Sequence, residues 1–300
     1  MDAPAASVLH GLNAACARLD RLLANLRDVR DAPADLGEVA RTVADAVERG
    51  PDVAIACILL NQIAGRYAVR HCIDTAVLAC LLARAMGKPP LEVMTIAAAA
   101  LTMNAGMMRQ IETFQDRTLP LSPDERALVR SHPEESAELL RCAGVGDEQW
   151  IACVMQHHEN HDGSGYPDGL READIDIDAK LVGMADRYCA CVSARNYRRS
   201  MAPPLALAKL RADSANDPEL VALFEECIGA YPPGTLVKLE NAELGVVAAA
   251  QTVHVLRDAG GASVSLVRHT GDTPIAAALH EDDAHLRFSM KAVWGPLAAL

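Results

Sequence analysis

The chain has 300 residues and a formal net charge of −12, a length that suits about two domains. That charge argues against a protein that coats nucleic-acid polymers with lysine and arginine, though not against one holding a small anionic ligand with a few cations or metals. Hydrophobic residues make up 51% but aromatics only 3%, so alanine, leucine and valine must build the core, and such segments favour helices.

Leu9, Leu12, Ala15, Leu19, Leu22, Leu23 and Leu26 recur at spacings of three and four and predict a helix over 6–30. Pro33 is expected in a loop, and Asp35 opens a helix to Val47, which Gly50-Pro51 breaks. Helical patterns follow over 52–66, over 68–86 up to the Gly87-Lys88-Pro89-Pro90 terminator, and from Leu91 to Met103. A polar connection leads to Ser122-Pro123-Asp124-Glu125, which has a capping serine, a first-position proline and an acid three residues on. Further helices are expected at 123–142, 147–158, 178–193, 203–212 and 217–229. Beyond Tyr231-Pro232-Pro233-Gly234 the pattern turns to short alternating segments at Thr235–Leu239, Gly245–Ala249, Val253–Leu256 and Ser263–Val267. The expected organisation is an N-terminal helical segment at 1–50, a helical domain at 51–230 and a small β-rich segment at 231–300.

Nine cysteines (Cys16, Cys57, Cys72, Cys80, Cys142, Cys153, Cys189, Cys191 and Cys227) form no CxxC pair. They are expected as small buried hydrophobes in a reducing compartment. The Ala-rich run Ile96–Leu101 is too short to span a bilayer, and MDAPAASVLHGL has no basic region before an apolar core. A cytoplasmic protein without a membrane partner is the expectation.

The chemistry concentrates in Gln156–Leu170, QHHENHDGSGYPDGL. Adjacent histidines at a helix end project about 100° apart and suit one metal or two neighbouring ones. The glycine-rich turn after them lets backbone approach a ligand closely. Asp186, inside the apolar run around Leu181, Val182, Met184 and Ala185, is a buried carboxylate that needs a partner.

This string resembles the HHExxDGxGYP signature of HD-GYP domains. Tyr67–Leu78 is similar to that family's first metal-binding helix, with His71 at its first histidine, and Ser131-His132-Pro133 matches its later His-Pro. Ala185-Asp186-Arg187-Tyr188 and Arg195-Asn196-Tyr197-Arg198 resemble its Asp helix and Arg-x-Tyr-Arg tail. The resemblance implies a mainly α, HD-superfamily helical fold and a metal-dependent cyclic di-GMP phosphodiesterase using iron, manganese or similar ions. By carry-over, His71 and Asp186 belong to one metal position and His132, His157 and His158 to its neighbour. Tyr166, Arg195 and Arg198 would contact the dinucleotide, and Gly165-Tyr166-Pro167 would be a docking loop for diguanylate cyclase domains.

The family's His-Asp pair is missing. In Leu101-Thr102-Met103-Asn104-Ala105-Gly106-Met107, Met103 replaces the histidine, Asn104 the aspartate and Met107 the lysine. Tyr67 stands where an acid often precedes His71, so a third metal is also not expected. A thioether suits iron(II) or manganese poorly, and a neutral amide cannot offset two closely spaced cations. The expectation is at most one divalent ion, on His132, His157 and His158 with Asn104 as a candidate fourth ligand. The protein would then be a catalytically impaired cyclic di-GMP sensor or interaction module. The alternatives are an active phosphodiesterase with an altered metal site and a scaffold that binds neither.

Overall fold

The computed structural model describes residues 7–114, 119–193 and 199–300. Eleven helices come first: α1 (Val8–Ala24), α2 (Ala32–Arg49), α3 (Pro51–Leu59), α4 (Tyr67–Ala85), α5 (Pro90–Thr102), α6 (Met108–Phe114), α7 (Pro123–Cys142), α8 (Glu148–Gln156), α9 (Ile177–Val192), α10 (Pro203–Ala212) and α11 (Pro218–Ile228). The protein is mainly α, with a small sheet at the C-terminal end, as the periodicity predicts. α4 is the central element, packed against α1, α2, α3, α5, α9 and α11. It can be surrounded because it is apolar on nearly every side, and the run Ile96–Leu101 of α5 lets backbones approach closely where bulkier side chains would hold them apart. One hydrophobic cluster runs through α1 to α11 and also takes in Met290 and Ala298.

Helix starts follow the capping signals. Ser122 Oγ accepts from the Glu125 N–H (3.2 Å) while the Ser122 N–H donates to Glu125 Oε2 (2.8 Å), the reciprocal box expected of that tetrad. Several boundaries differ from the sequence reading. Asp31, not Asp35, caps α2, and Pro33 lies inside its first turn, where a missing N–H costs nothing. α3 ends at Leu59 rather than 66, because Asn61 turns left-handed at φ 53°. Met108–Phe114, expected as a polar connection, is helical. The stretch Pro90–Phe114 is apolar and long enough to cross a membrane, but two thirds of its most apolar window is buried in the helical body.

The sheet has the order β4-β3-β2-β1-β5, formed by β1 (Leu236–Leu239), β2 (Leu244–Ala249), β3 (Thr252–Arg257), β4 (Ser263–His269) and β5 (Ile275–Ala278), with every pair antiparallel. Val237, Leu239, Val247, Val253 and Val255 form its own small core. Two short helices, α12 (Glu281–Ala284) and α13 (Met290–Trp294), close the chain, and Trp294 Nε1 ties the end to the Ala248 carbonyl (2.7 Å). The cysteines are free thiols, and all but Cys142 and Cys227 are buried.

Candidate metal centre

α4, α7, α8 and α9 converge on one polar patch inside this apolar body. α8 is pinned to the end of α5 by Trp150 Nε1, which donates to Thr102 Oγ1 (2.8 Å). α9 meets the end of α8 at Gly183, where a Cβ would lie 2.3 Å from the His157 carbonyl oxygen. Only glycine permits that approach, and it brings the two histidines beside Asp186, one turn further along α9.

Three rings meet there. His132 and His157 are fully buried, His158 half-buried, and one ring nitrogen from each lies within 4.8 Å of the others. His132 Nδ1 faces the Val129 carbonyl at 2.5 Å and His157 Nδ1 the Val154 carbonyl at 2.7 Å. A carbonyl only accepts, so both Nδ1 atoms carry the proton and both Nε2 atoms present lone pairs. Those Nε2 atoms are 3.1 Å apart. Two acceptors cannot hydrogen-bond each other, and a cation between them would satisfy both. Burial lowers the pKa of all three histidines, that of His157 to about 3. The rings are therefore neutral, the form that ligates metals. These donors fit a divalent ion of the borderline class that imidazoles hold.

The other half differs. His71 Nε2 and Asp186 Oδ1 form a 2.6 Å hydrogen bond. Burial opposes ionisation of Asp186, but the His71 hydrogen bond outweighs it and holds the carboxyl well below its usual range. His71 Nδ1 is buried without a partner among the described residues. Met103 is fully buried and packs into the main core; Asn104 and Met107 are buried too. Burial pushes the nearby Cys72 thiol up to about 12, more than the neighbouring Asn104 amide lowers it.

Glu159, which follows the histidine pair, shapes the loop after them. Its Oε1 accepts from the N–H groups of Asp168 (2.7 Å) and Gly169 (3.1 Å), and Oε2 from that of Leu170 (2.9 Å). A Cβ on Gly165 would lie 2.4 Å from the Asn160 nitrogen, so the loop closes there only with glycine. Tyr166 is thereby folded inward: its ring stacks on His158 (4.7 Å between centroids), and Arg130 covers it, with the guanidinium carbon 4.7 Å from the ring centre. Arg187 is committed to Asn216 Oδ1 (2.8 Å) and Asn160 Oδ1 (3.3 Å).

The sequence-predicted residues His71, His132, His157, His158, Asp186, Asn104 and Tyr166 thus lie in one region, whereas Arg195 and Arg198 fall outside the described residues. Sequence reasoning assigned no role to Glu159, Arg130 or the carbonyls of Val129 and Val154. An acid directly before a glycine-rich loop was the available signal for Glu159; nothing local marks the others.

Comparison with known proteins bears on the family and the fold. A family model described as HD domain matches residues 54–220. The chain is 30% identical over 216 residues to the cyclic di-GMP phosphodiesterase PA4108 of Pseudomonas aeruginosa, covering 71% of this chain and 52% of that protein. It is 34% identical over 144 residues to the cyclic di-GMP phosphodiesterase response regulator RpfG of Xanthomonas campestris pv. campestris, covering 47% and 38%. The chain therefore spans about half the length, or less, of these curated relatives. Among solved structures, an HD-GYP-type protein of Bdellovibrio bacteriovorus, Bd1817, superposes with a TM-score of 0.57 at 19% identity, over 75% of this chain and 74% of that one, which supports the fold. With a matching HD-domain model over more than half its length, relatives named as cyclic di-GMP phosphodiesterases and the Gln156–Leu170 string, the chain belongs to the HD-GYP group of the HD-domain family.

Proposed function

We propose that this chain is a cyclic di-GMP-responsive HD-GYP protein with impaired hydrolysis, binding one divalent ion, iron or manganese, through His132, His157 and His158. The observation that carries this reading is the asymmetry of the centre. His132 and His157 aim unshared lone pairs at each other across 3.1 Å, while His71 and Asp186 satisfy each other at 2.6 Å. The residues that would complete a second ion's shell, at 103 and 104, are a core methionine and a buried, neutral amide. A bound ion would supply Lewis-acid polarisation of a phosphate oxygen. The chain's own residues keep three imidazoles neutral, hold the Asp186 carboxylate beside them and set Tyr166 and Arg130 at the mouth. The relatives' printed activity supports cyclic di-GMP as the ligand, with Arg195 and Arg198 as further phosphate contacts. Docking of a diguanylate cyclase domain on Gly165-Tyr166-Pro167 belongs to the same reading, and a partner there would meet Pro167 and Asp168 rather than the inward tyrosine ring.

The test is metal analysis of protein purified without chelator, with cyclic di-GMP titration and turnover. About one ion per chain, removed by His157→Ala and mostly kept by His71→Ala, with binding but little turnover, is expected. Two ions per chain with turnover like an intact relative would establish the active phosphodiesterase instead. Neither metal nor nucleotide binding would leave a scaffold.

A further inference from the structure

Two histidines of the centre are oriented by the same device, reached by different routes. Each donates Nδ1–H to the carbonyl three residues before it: His132 to Val129 and His157 to Val154. Such carbonyls are normally taken inside a helix, where the oxygen of residue i accepts from the N–H of residue i+4. For Val154 that partner is the N–H of residue 158, beyond the end of α8 at Gln156, so the oxygen is one of the orphans every helix end leaves. Val129 lies mid-helix, thirteen residues before α7 ends, where no orphan is due. Its i+4 partner is residue 133, which is proline and has no N–H.

Proline inside a helix is strongly unfavourable, because a backbone bond is lost and the ring crowds the carbonyl four residues back. α7 nonetheless runs unbroken from Pro123 to Cys142 with Pro133 inside it. We propose that Pro133 is a positioning residue of the metal centre. By withholding an N–H from Val129, it reserves that carbonyl for His132 Nδ1–H, which fixes the ring's tautomer and points the Nε2 lone pair at His157. Second partners of this kind set both ring orientation and ligand basicity at metal sites. An N–H at position 133 would compete for the Val129 oxygen along the helix axis and let the His132 ring turn or change tautomer.

The consequence is a pair of effects with opposite signs, which a merely structural proline would not give. Pro133→Ala restores a helical donor and a strong helix former, so the metal-free protein holds or gains stability in urea. Its affinity for manganese(II) falls about 10- to 100-fold, the usual effect of losing a ligand's second partner. In 15N spectra of the metal-free protein, His132 is an Nδ1–H tautomer in the wild type and a mixture in the variant, while His157 does not change. Pro133→Ser, which also restores an N–H, behaves as Pro133→Ala does. Unchanged manganese affinity with an unchanged His132 tautomer overturns the inference, and so does a parallel loss of stability and metal. The inference rests on the reading that these histidines hold an ion. A wild type that binds no manganese defeats that reading, whereas the tautomer comparison in the metal-free protein still decides the role of Pro133.

Discussion

Lowering the pH of the metal-free protein from 6 to 4.5 is expected to destabilise it through the buried histidines, against an opposing effect from one buried carboxyl. His157 is held at about 3 and His158 well below its ordinary 6.5, chiefly by burial. Burial lowers His132 as well, so across this window the unfolded chain binds two to three protons that the folded chain refuses, and stability falls as the pH falls. Asp74 acts the other way. Burial pushes its carboxyl up to about 7, so the folded state keeps a proton that the unfolded state releases down to about 4. Two to three protons less one leaves a net of one to two, or about 1.4–2.7 kcal/mol per pH unit, and roughly 2–4 kcal/mol over the window. Asp74→Asn removes the offset and should steepen the slope by about 1.4 kcal/mol per pH unit, whereas His157→Leu should reduce it by about as much. Urea unfolding in the presence of a chelator at pH 6, 5.25 and 4.5 measures all three. Wild type that gains stability on acidification, or equal slopes for wild type and Asp74→Asn, would refute the assignment of neutral histidines and a protonated Asp74.

Three other outcomes are expected. Met103→His, Asn104→Asp and Met107→Lys together restore two ligands and a cation, and the triple variant should gain a second ion and measurable cyclic di-GMP hydrolysis. Without metal it should lose about 2–4 kcal/mol in urea unfolding, because a polar ring replaces a fully buried core methionine; a folded variant that binds two ions and stays inert would place a further defect elsewhere. Arg130→Ala should weaken cyclic di-GMP binding by about 1.5–3 kcal/mol in calorimetry, the range of a charged hydrogen bond, without changing metal content. Equal affinity would leave Arg130 as a cover for Tyr166 alone. Glu159→Gln removes the charge from three hydrogen bonds to the loop and should cost about 1–3 kcal/mol in stability while speeding proteolytic cleavage near Asp168; resistance equal to wild type would show the loop to be held by other contacts.

Local chemistry made much of this protein legible from its sequence. Apolar spacing places α7 at 123–142, and the Ser122-to-Glu125 box fixes its start, because both signals lie within a few residues of the bonds they form. The Gln156–Leu170 string identifies the family for the same reason: its histidines, acid and glycines act on one another across a single turn and loop. Pro33 and Asn61 show the limit, since whether a residue opens, continues or ends a helix depended on a cap or a left-handed turn that no periodicity encodes.

The tertiary structure decided how the side chains of the centre face one another. The family resemblance already separated His71 and Asp186 from His132, His157 and His158, but only packing sets what each of these side chains faces. Gly183 lets α9 press against the His157 carbonyl, Asp186 closes on His71, and two Nε2 atoms are left facing each other. The arrangement turns on which carbonyl each Nδ1 reaches and which neighbour each Nε2 meets. Those are distances between helices far apart in the chain, set by the shape of the shared core rather than by any residue's neighbours in sequence.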